Sequence, residues 1–328
     1  MSEKSTVWIV TINYRTADLV VESLRALEPQ MEALGGGKVL VVDNASGDGS
    51  VEVISAAIQA NNWGAWASVK AMSRNGGFAF GNNIGFTEAF ASQQHVDYIM
   101  LLNPDSAARL GAIKALVDYM DNHKKIGVVG SRLQNQDGGM EPSAHNFHSP
   151  LSELVEGARL GFLSRLLPKH EVTAAVKNLP HQCDWVSGSS MMIRRKLIDD
   201  IGLMDEGFFL YFEEVDFFKR AANAGWQTWY VPESVVMHIE GASTGIKSTQ
   251  RRPAYWYNSR RRFFIKHYGI LGLLAADFLW SIGRLSFFVR RLLKLGAQGK
   301  VTDPKYYSFD VLWGDFKFIL SGNAWKVK

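Results

Sequence analysis

The stretch VLVVDNASGDGS, Val39 to Ser50, passes from four apolar, mostly β-branched residues into an acid, a glycine-punctuated turn and a serine. Residues 50–60 then repeat apolar side chains at helical spacing, so the stretch reads as a buried strand that ends on a carboxylate and turns into a helix. The same order recurs around it. Residues 7–12, 66–72, 98–102 and 126–129 are short, apolar and rich in β-branched or aromatic side chains, which predicts strands. Between them, residues 16–27, 82–92 and 110–122 predict helices, several opening on Ser, Thr or Asn as side-chain caps. A βαβ series of this kind predicts the α/β class: a mostly parallel central sheet flanked by helices, with ligands received at the carboxyl ends of the strands.

Beyond residue 130 the pattern loosens. Residues 131–182 have no clear period and contain a proline-bounded patch, 142–168, which reads as loops and a short helix inserted as a lid or on the acceptor side of a site. A strand is expected at 185–194, a helix at 213–224 and a strand at 226–231; from residue 255 the composition changes again.

The 328 residues, 47% hydrophobic and 21% charged, suffice for one large core or two smaller ones. The lone cysteine, Cys183, rules out an intramolecular disulfide framework and a multi-cysteine zinc site, and a reducing cytoplasmic setting is expected. The apolar run ahead of Asn13 is too short for a signal-peptide core. Net charge is divided unevenly: residues 241–328 hold 16 Lys/Arg against 4 Asp/Glu, net +12, which leaves −8 for the remainder. Such a basic end suits an anionic partner, either nucleic acid or a phospholipid headgroup layer.

Polar residues follow each early strand: Thr11 and Asn13, then 43–50, then Arg74-Asn75-Gly76-Gly77, then Asn103-Pro104-Asp105. A nucleotide suits such a rim, with an acid at a strand end accepting a hydrogen bond from base or ribose. The glycine-rich RNGGFAFGNNIG opens a helix, where backbone amides favour phosphate. Neither GxxxxGK[ST] nor a first-turn GxGxxG is present, which removes the main support for phosphate-loop NTPases and dinucleotide dehydrogenases. Asp105 taken alone is a helix cap; beside a nucleotide rim it becomes a ligand for a divalent cation shared with phosphate oxygens. Farther on, Glu213, Glu214 and Asp216 crowd one turn among phenylalanines. Asp216 has Arg220 four residues on as an ion-pair partner, which leaves Glu214 as the most available general base. His238 follows another apolar run, either as a structural histidine or as a metal ligand.

Seven stretches in order, VTINYR, VLVVDNASGDGS, NGGFAFGNNIGF, LLNPDS, WVSGSSMMIRR, DEGFFLYFEEVDFFKRAANAGW and VMHIEGAS, resemble the family-2 inverting glycosyltransferases of GT-A fold, particularly their bacterial rhamnosyltransferase-like branch. The resemblance covers about residues 7–266. It implies a Rossmann-like GT-A catalytic domain over 1–254, divided into a nucleotide-sugar-binding half (1–130) and an acceptor and catalytic-base half (131–254), with a basic, aromatic, helical extension over 255–328. It implies that Thr11, Asn13 and Asp43 meet the nucleoside, and that Asn75, Gly77, Asn82, Asn103, Trp185 and Gly188 line the substrate cleft. Asp105, last in a DxD-like motif that here begins with asparagine, and His238 are the implied ligands of Mn2+ or Mg2+. Glu214 falls where relatives carry the aspartate of an acidic pair that serves as base, with Glu213 and Asp216 as its neighbours. The implied reaction moves a sugar from a nucleotide diphosphate sugar, dTDP-L-rhamnose first and UDP-sugars otherwise, to a glycan or lipid-linked saccharide in cell-surface polysaccharide synthesis. Two other readings remain, a sugar nucleotidylyltransferase and a catalytically impaired, membrane-associated glycan-binding relative. The nucleotidylyltransferase lacks its usual glycine- and arginine-rich first loop in TINYRTADL.

The basic end bears on location. Residues 270–295 have no uncharged run of 18, which disfavours a spanning helix, and Asp277, Ser281, Arg284, Arg291 and Lys294 fall on one helical stripe. The segment reads as an amphipathic helix, either docked on an anionic membrane surface through 255–295 or packed on the protein with a solvated basic edge. The resemblance favours the membrane, at the cytoplasmic face of the plasma (inner) membrane. Nucleic acid is disfavoured, since the basic excess lies outside the motif-rich domain.

Overall fold

The computed structural model describes residues 5–34, 36–173, 175–239, 250–295 and 303–327. The end of the seventh motif, from Glu240, lies outside the described residues. In chain order the elements begin β1 (Val7–Asn13), α1 (Ala17–Leu34), β2 (Lys38–Asp43), α2 (Ser50–Ala60), β3 (Ala67–Ala71), α3 (Gly77–Ala91), β4 (Tyr98–Leu102), β5 (Ser106–Ala108) and α4 (Ala112–Asn122). There follow β6 (Ile126–Gln134), β7 (Met140–Glu141), β8 (Ala144–His145), α5 (Pro150–Ala158), α6 (Gly161–Leu166), β9 (His181–Cys183), β10 (Trp185–Val186) and β11 (Ser190–Arg194). The chain then forms α7 (Arg195–Ile201), α8 (Glu213–Asn223), β12 (Gln227–His238), α9 (Ala254–Leu292) and α10 (Tyr307–Leu320).

These elements form two compact units. The first holds the described residues among 1–145, 175–209 and 213–245, and the second those among 146–174, 210–212 and 246–328. Residues 146–173, read from sequence as part of the insertion, thus cluster with the C-terminal helices, while the rest of the insertion extends β6 and forms the short strands β7 to β9.

The first unit is built on a sheet ordered β3-β2-β1-β4-β11-β6-β12-β5. The neighbours β3-β2, β2-β1 and β1-β4 are parallel, as the βαβ pattern predicts. Beyond β4 the direction reverses: β11 runs antiparallel to both β4 and β6, and β12 returns parallel to β6. Beneath the parallel half, Val20, Leu24 and Leu27 of α1 and Ile54 of α2 pack with Val7, Ile9, Val39, Val41 and Met100, all essentially buried. On the other face α3 lies close to β1, because Gly85 presents no side chain: a Cβ there would sit 2.4 Å from Val10 Cγ1.

Four sequence expectations are corrected here. Side-chain caps were expected on the early helices, but α2, α3 and α4 begin after Gly49, Gly76 and Gly111 with no side-chain cap, two of these glycines in the left-handed region. Helix α3 starts at Gly77, five residues before the expected position, since glycine supplies the φ of +88° its first residue needs. The strand expected over 185–194 is broken at 187–189, where serine hydroxyls and a glycine replace ladder bonds with a turn: Ser189 N donates to Ser187 Oγ at 3.4 Å and Ser187 N to the Ser143 carbonyl at 3.0 Å. Strand β12 is longer than expected, passing Pro232 by a register shift against β6 between Val231 and Val235, then pairing antiparallel with β5 so that His238 lies opposite Ser106.

In the second unit, Gly269 (φ 71°, ψ 179°) breaks α9 into two rods, and α5 crosses the second of them. A Cβ on Gly283 would sit 2.7 Å from the Ala158 amide, and one on Gly157 would sit 2.9 Å from the Trp280 carbonyl. The polar stripe of α9 lies on one face as the spacing predicts, but part of it is turned toward the protein rather than solvated. Asp277 and Arg284 are buried, not solvated: Arg260 Nη1 donates to Asp277 and to Asp315, its Nη2 to Glu153, and Arg284 pairs with Asp303. Arg261 donates to Asp315 at 2.7 Å. Arg260 and Arg261 of the arginine–aromatic segment at 251–262 thus belong to a buried ionic core. By length and composition α9 is also apolar enough to cross a membrane, despite lacking an uncharged run of 18.

The α3–β1 contact predicts a coupled effect. Gly85→Ala should lower stability by about 1–3 kcal/mol in thermal or urea unfolding, as overpacking does. Adding Val10→Ala should restore much of the loss, and a strictly additive double mutant would contradict the proposed contact.

Candidate active site

At the carboxyl ends of β1 and β2, Asn13 and Asp43 stand in register. Asn13 Nδ2 donates to Asp43 Oδ1 at 2.7 Å and to Ser46 Oγ at 3.2 Å, and its Oδ1 accepts from the amide and hydroxyl of Thr16. Asn13 is thereby saturated and positions Asp43. The Asp43 carboxylate also accepts from the Ser46 hydroxyl at 2.5 Å and amide at 3.1 Å, so Oδ2 carries one bond and keeps a lone pair. Thr11 is buried in β1, opposite Val41.

The next loop is held by a residue that sequence reasoning did not single out. Asn44 Nδ2 donates to Asn75 Oδ1 and to the Gly77 carbonyl, each at 3.0 Å, while its Oδ1 accepts from Gly76 N at 3.3 Å. Asn75 Oδ1 also accepts from Gly77 N, and Phe78 N donates to the Phe209 carbonyl at 2.8 Å. This corrects the phosphate expectation for RNGGFAFGNNIG: the first amides of α3 already have acceptors. Gly77 is instead a point of close approach, since a Cβ would lie 2.0 Å from the Phe209 carbonyl oxygen. Asn82 Nδ2 donates back to Phe78 at 3.0 Å, and its buried Oδ1 has no hydrogen-bond partner among the described residues. Asn83, beside it, is structural: it exchanges bonds with both backbone groups of Met204.

The strand-end loop after β4 is joined to the 187–189 turn. Asn103 N donates to the Ser189 carbonyl at 2.9 Å, which prolongs the β4–β11 pairing by one bond. Gly188 in that turn faces α3 and α8 together: a Cβ there would lie 3.6 Å from Phe78 and 3.9 Å from Glu214 Cβ. Asp105 is buried, and His238 Nε2 lies 3.6 Å from its Oδ1. On the other ring nitrogen, Nδ1, Glu141 Oε2 stands at 3.5 Å. Glu141 was missed because its two-residue strand, β7, has no period; its pairing with β6 is what carries it here. Trp185, on the β8–β10 ribbon, stacks on His145 with ring centroids 4.2 Å apart.

The three acids of α8 separate into two roles. Asp216 is fully buried and accepts from Arg220 Nε at 3.0 Å, while the same guanidinium donates to the Ile201 and Leu203 carbonyls. Its place is that of a structural ion pair. Glu213 and Glu214 each keep a buried Oε2 without a hydrogen-bond partner among the described residues. Burial raises the carboxyl of Glu213 well above the ordinary range, with the charge of Glu214 adding to it, and burial likewise raises Glu214.

A buried carboxylate and an imidazole 3.6 Å apart are a donor set that suits Mn2+ or Mg2+ completed by substrate oxygens. Among the described residues no group of three or more His, Cys, Asp or Glu is arranged to hold a metal without such help.

Residues 6–202 match Glycosyl transferase family 2, and residues 162–309 match Glycosyl transferase family group 2. The chain belongs to glycosyltransferase family 2. It is 30% identical over 220 residues, 63% of its length and 68% of the relative's, to an N-acetylglucosaminyl-diphospho-decaprenol L-rhamnosyltransferase of Mycobacterium tuberculosis. It is 23% identical over 198 residues, 59% of its length and 60% of the relative's, to the dTDP-rhamnosyl transferase RfbF of Shigella flexneri. Among solved structures it is similar to GalNAc-T7 with UDP, GalNAc and Mn2+, at a TM-score of 0.56 and 14% identity, covering 100% of this chain and 58% of that one. The family-2 chain thus has the GT-A fold, with its parallel half and antiparallel continuation meeting at β4 and β11.

The acid pair predicts a stability effect with a definite sign. A carboxyl whose folded pKa is raised contributes stability below its unfolded pKa, and that contribution is lost as pH rises through the folded value. Glu213→Gln should therefore raise the melting temperature at neutral and higher pH and flatten its decline, with little change in acid. Scanning calorimetry across pH checks this, and a lower melting temperature at neutral pH would contradict it.

Proposed function

We propose that the chain is an inverting glycosyltransferase, assisted by Mn2+ or Mg2+, that moves a sugar from a nucleotide diphosphate donor to a hydroxyl of a lipid-linked saccharide. L-rhamnose from dTDP-L-rhamnose is the first donor to test, supported by the two rhamnosyltransferase relatives; the acceptor class is supported by the lipid-linked substrate named for one of them. The observation that carries the reading is the placement of Glu214 against Gly188, in a turn whose next residue is hydrogen-bonded to Asn103, two positions before Asp105. A general base and an acidic strand end thus border one rim.

Each residue then has a task. Asp43 holds the base of the donor through its remaining lone pair, with Asn13 and Ser46 fixing the carboxylate. Asn82 Oδ1 offers an acceptor to the donor, and the glycine at 188 leaves space for the reacting sugar beside Glu214. Asp105 and His238 would hold the cation, which would neutralise charge on the departing diphosphate. Glu214 takes the proton from the acceptor hydroxyl as oxygen attacks the anomeric carbon from the face opposite the leaving group, which inverts that centre. Its raised pKa strengthens it as a base, and its partly buried setting limits competition by water.

Replacing Glu214 by Gln should lower transfer at least about 100-fold while leaving the donor-induced thermal shift in place. In the wild type, kcat/KM should fall as pH is lowered through the raised pKa, because only the deprotonated carboxylate accepts the proton, and the residual activity of the variant should lack that limb. Asp105→Ala should abolish the additional thermal shift that Mn2+ gives with donor. Full transfer by both variants would refute these roles. Asp216→Asn is expected to act on stability first, since it leaves Arg220 without its buried partner.

A further inference from the structure

The second unit combines a buried aromatic core, Tyr257, Trp280, Tyr307 and Val311, with buried charges and an apolar outer face. Its interior holds the ionic cluster of Arg260 and Arg261 with Glu153, Asp277 and Asp315, all buried. Its outer surface holds the apolar side chains. Along the second rod of α9, Leu271, Leu274, Phe278, Ile282, Leu285 and Leu292 are exposed, with Leu271 81%, Phe278 65% and Leu292 82% accessible. Their spacings of three, four and seven residues place them on one face, opposite the face that packs on α5. Helix α10 repeats the arrangement: Val311 and Asp315 are buried, while Phe309, Trp313, Phe316 and Leu320 are exposed.

Isolated surface leucines need no explanation, but a continuous stripe on two neighbouring helices does. Three features on this unit say what covers it. Charges turned inward and paired, with apolar side chains outward, is the arrangement that a hydrocarbon surrounding requires. The α5–α9 crossing is made through Gly157 and Gly283, the small-residue approach that helices use where apolar side chains gain nothing by facing one another. Exposed cations, Arg291 and Lys294, stand at the end of the α9 stripe, where they complement anionic headgroups.

We infer that the outward apolar stripe of α9, residues 271–292, continued by the outer face of α10, seats this protein in the headgroup–acyl boundary of a phospholipid bilayer. The helix lies in the interface and does not cross it: crossing would strip Asp277 from Arg260 and Arg284 from Asp303 and leave buried charges without partners. The apolar face carries the attachment, and the basic residues at its end select anionic lipid. The inference is independent of which sugar is transferred.

The test is flotation of the full-length protein with vesicles of phosphatidylcholine, with and without phosphatidylglycerol. The wild type should float with both, more with the anionic mixture, and should stay bound at high salt. The pair Phe278→Glu and Leu285→Glu, both at exposed positions and thus compatible with folding, should lower partitioning at least about tenfold, since each buried apolar side chain is worth about that factor. The pair Arg291→Glu and Lys294→Glu should keep binding to phosphatidylcholine and lose the gain from phosphatidylglycerol. A second readout on the wild type is quenching of tryptophan fluorescence by brominated lipid, expected through Trp313. Failure of the wild type to float and to be quenched would overturn the inference, as would unchanged flotation of the Phe278/Leu285 variant. A wild-type dimer in sedimentation that this variant splits, without vesicle binding, would assign the face to a second copy of the chain and equally overturn it.

Discussion

The hydrogen bond from the Asn103 amide to the Ser189 carbonyl is the constraint on which the proposed catalytic arrangement depends. Strand β4 closes the parallel half of the sheet, and β11 opens the antiparallel half beside it. A sheet that changes direction leaves a crevice beyond the strand ends, where ligands are received. Here one bond past the last paired residues holds the two lips together. It fixes the Asn103–Asp105 turn on one side and the Gly188 turn on the other, and Gly188 in turn abuts Glu214. The two groups to which the proposed chemistry assigns its main roles, Asp105 and Glu214, are 109 positions apart in sequence and are linked in the fold through this short backbone contact.

Much of the first unit was legible because its causes are local. A strand that is buried on both faces must be apolar, and the carboxylate that ends it stands out against that background, as at Val42-Asp43 and Leu102-Asn103-Pro104-Asp105. The pairing of Asp216 with Arg220 followed from helical spacing alone. What escaped was set by partners distant in the chain. Glu141 reaches His238 only because β7 folds back on β6 and β12 passes on its other side. Asn44 clamps the Asn75–Gly77 loop through three bonds that no periodicity announces.

The C-terminal segment shows the same limit with the opposite outcome. Helical spacing correctly gathered Asp277 and Arg284 onto one stripe, but polarity along a helix does not say which side faces the protein. That was decided by Glu153 on α5, Asp315 on α10 and Asp303, none of which is near the stripe in sequence. Once three acids meet Arg260 and its neighbours, exposing the stripe would cost several unpaired charges, and the apolar residues are left on the outside.

Strand β12 carries a further consequence. It passes Pro232 with a register shift against β6 and still delivers His238 opposite Ser106, beside Asp105. In a strand the side chains alternate, so which of two consecutive residues looks into the crevice is a matter of parity counted from the last fixed pairing. Loss or gain of one residue between Val231 and Val235 would turn the imidazole to the back of the sheet and bring Met237 or Ile239 to the front, whereas a change of two would preserve the face. The irregular segment around the proline thus acts as a phase setter, and natural variation in its length should proceed in even steps.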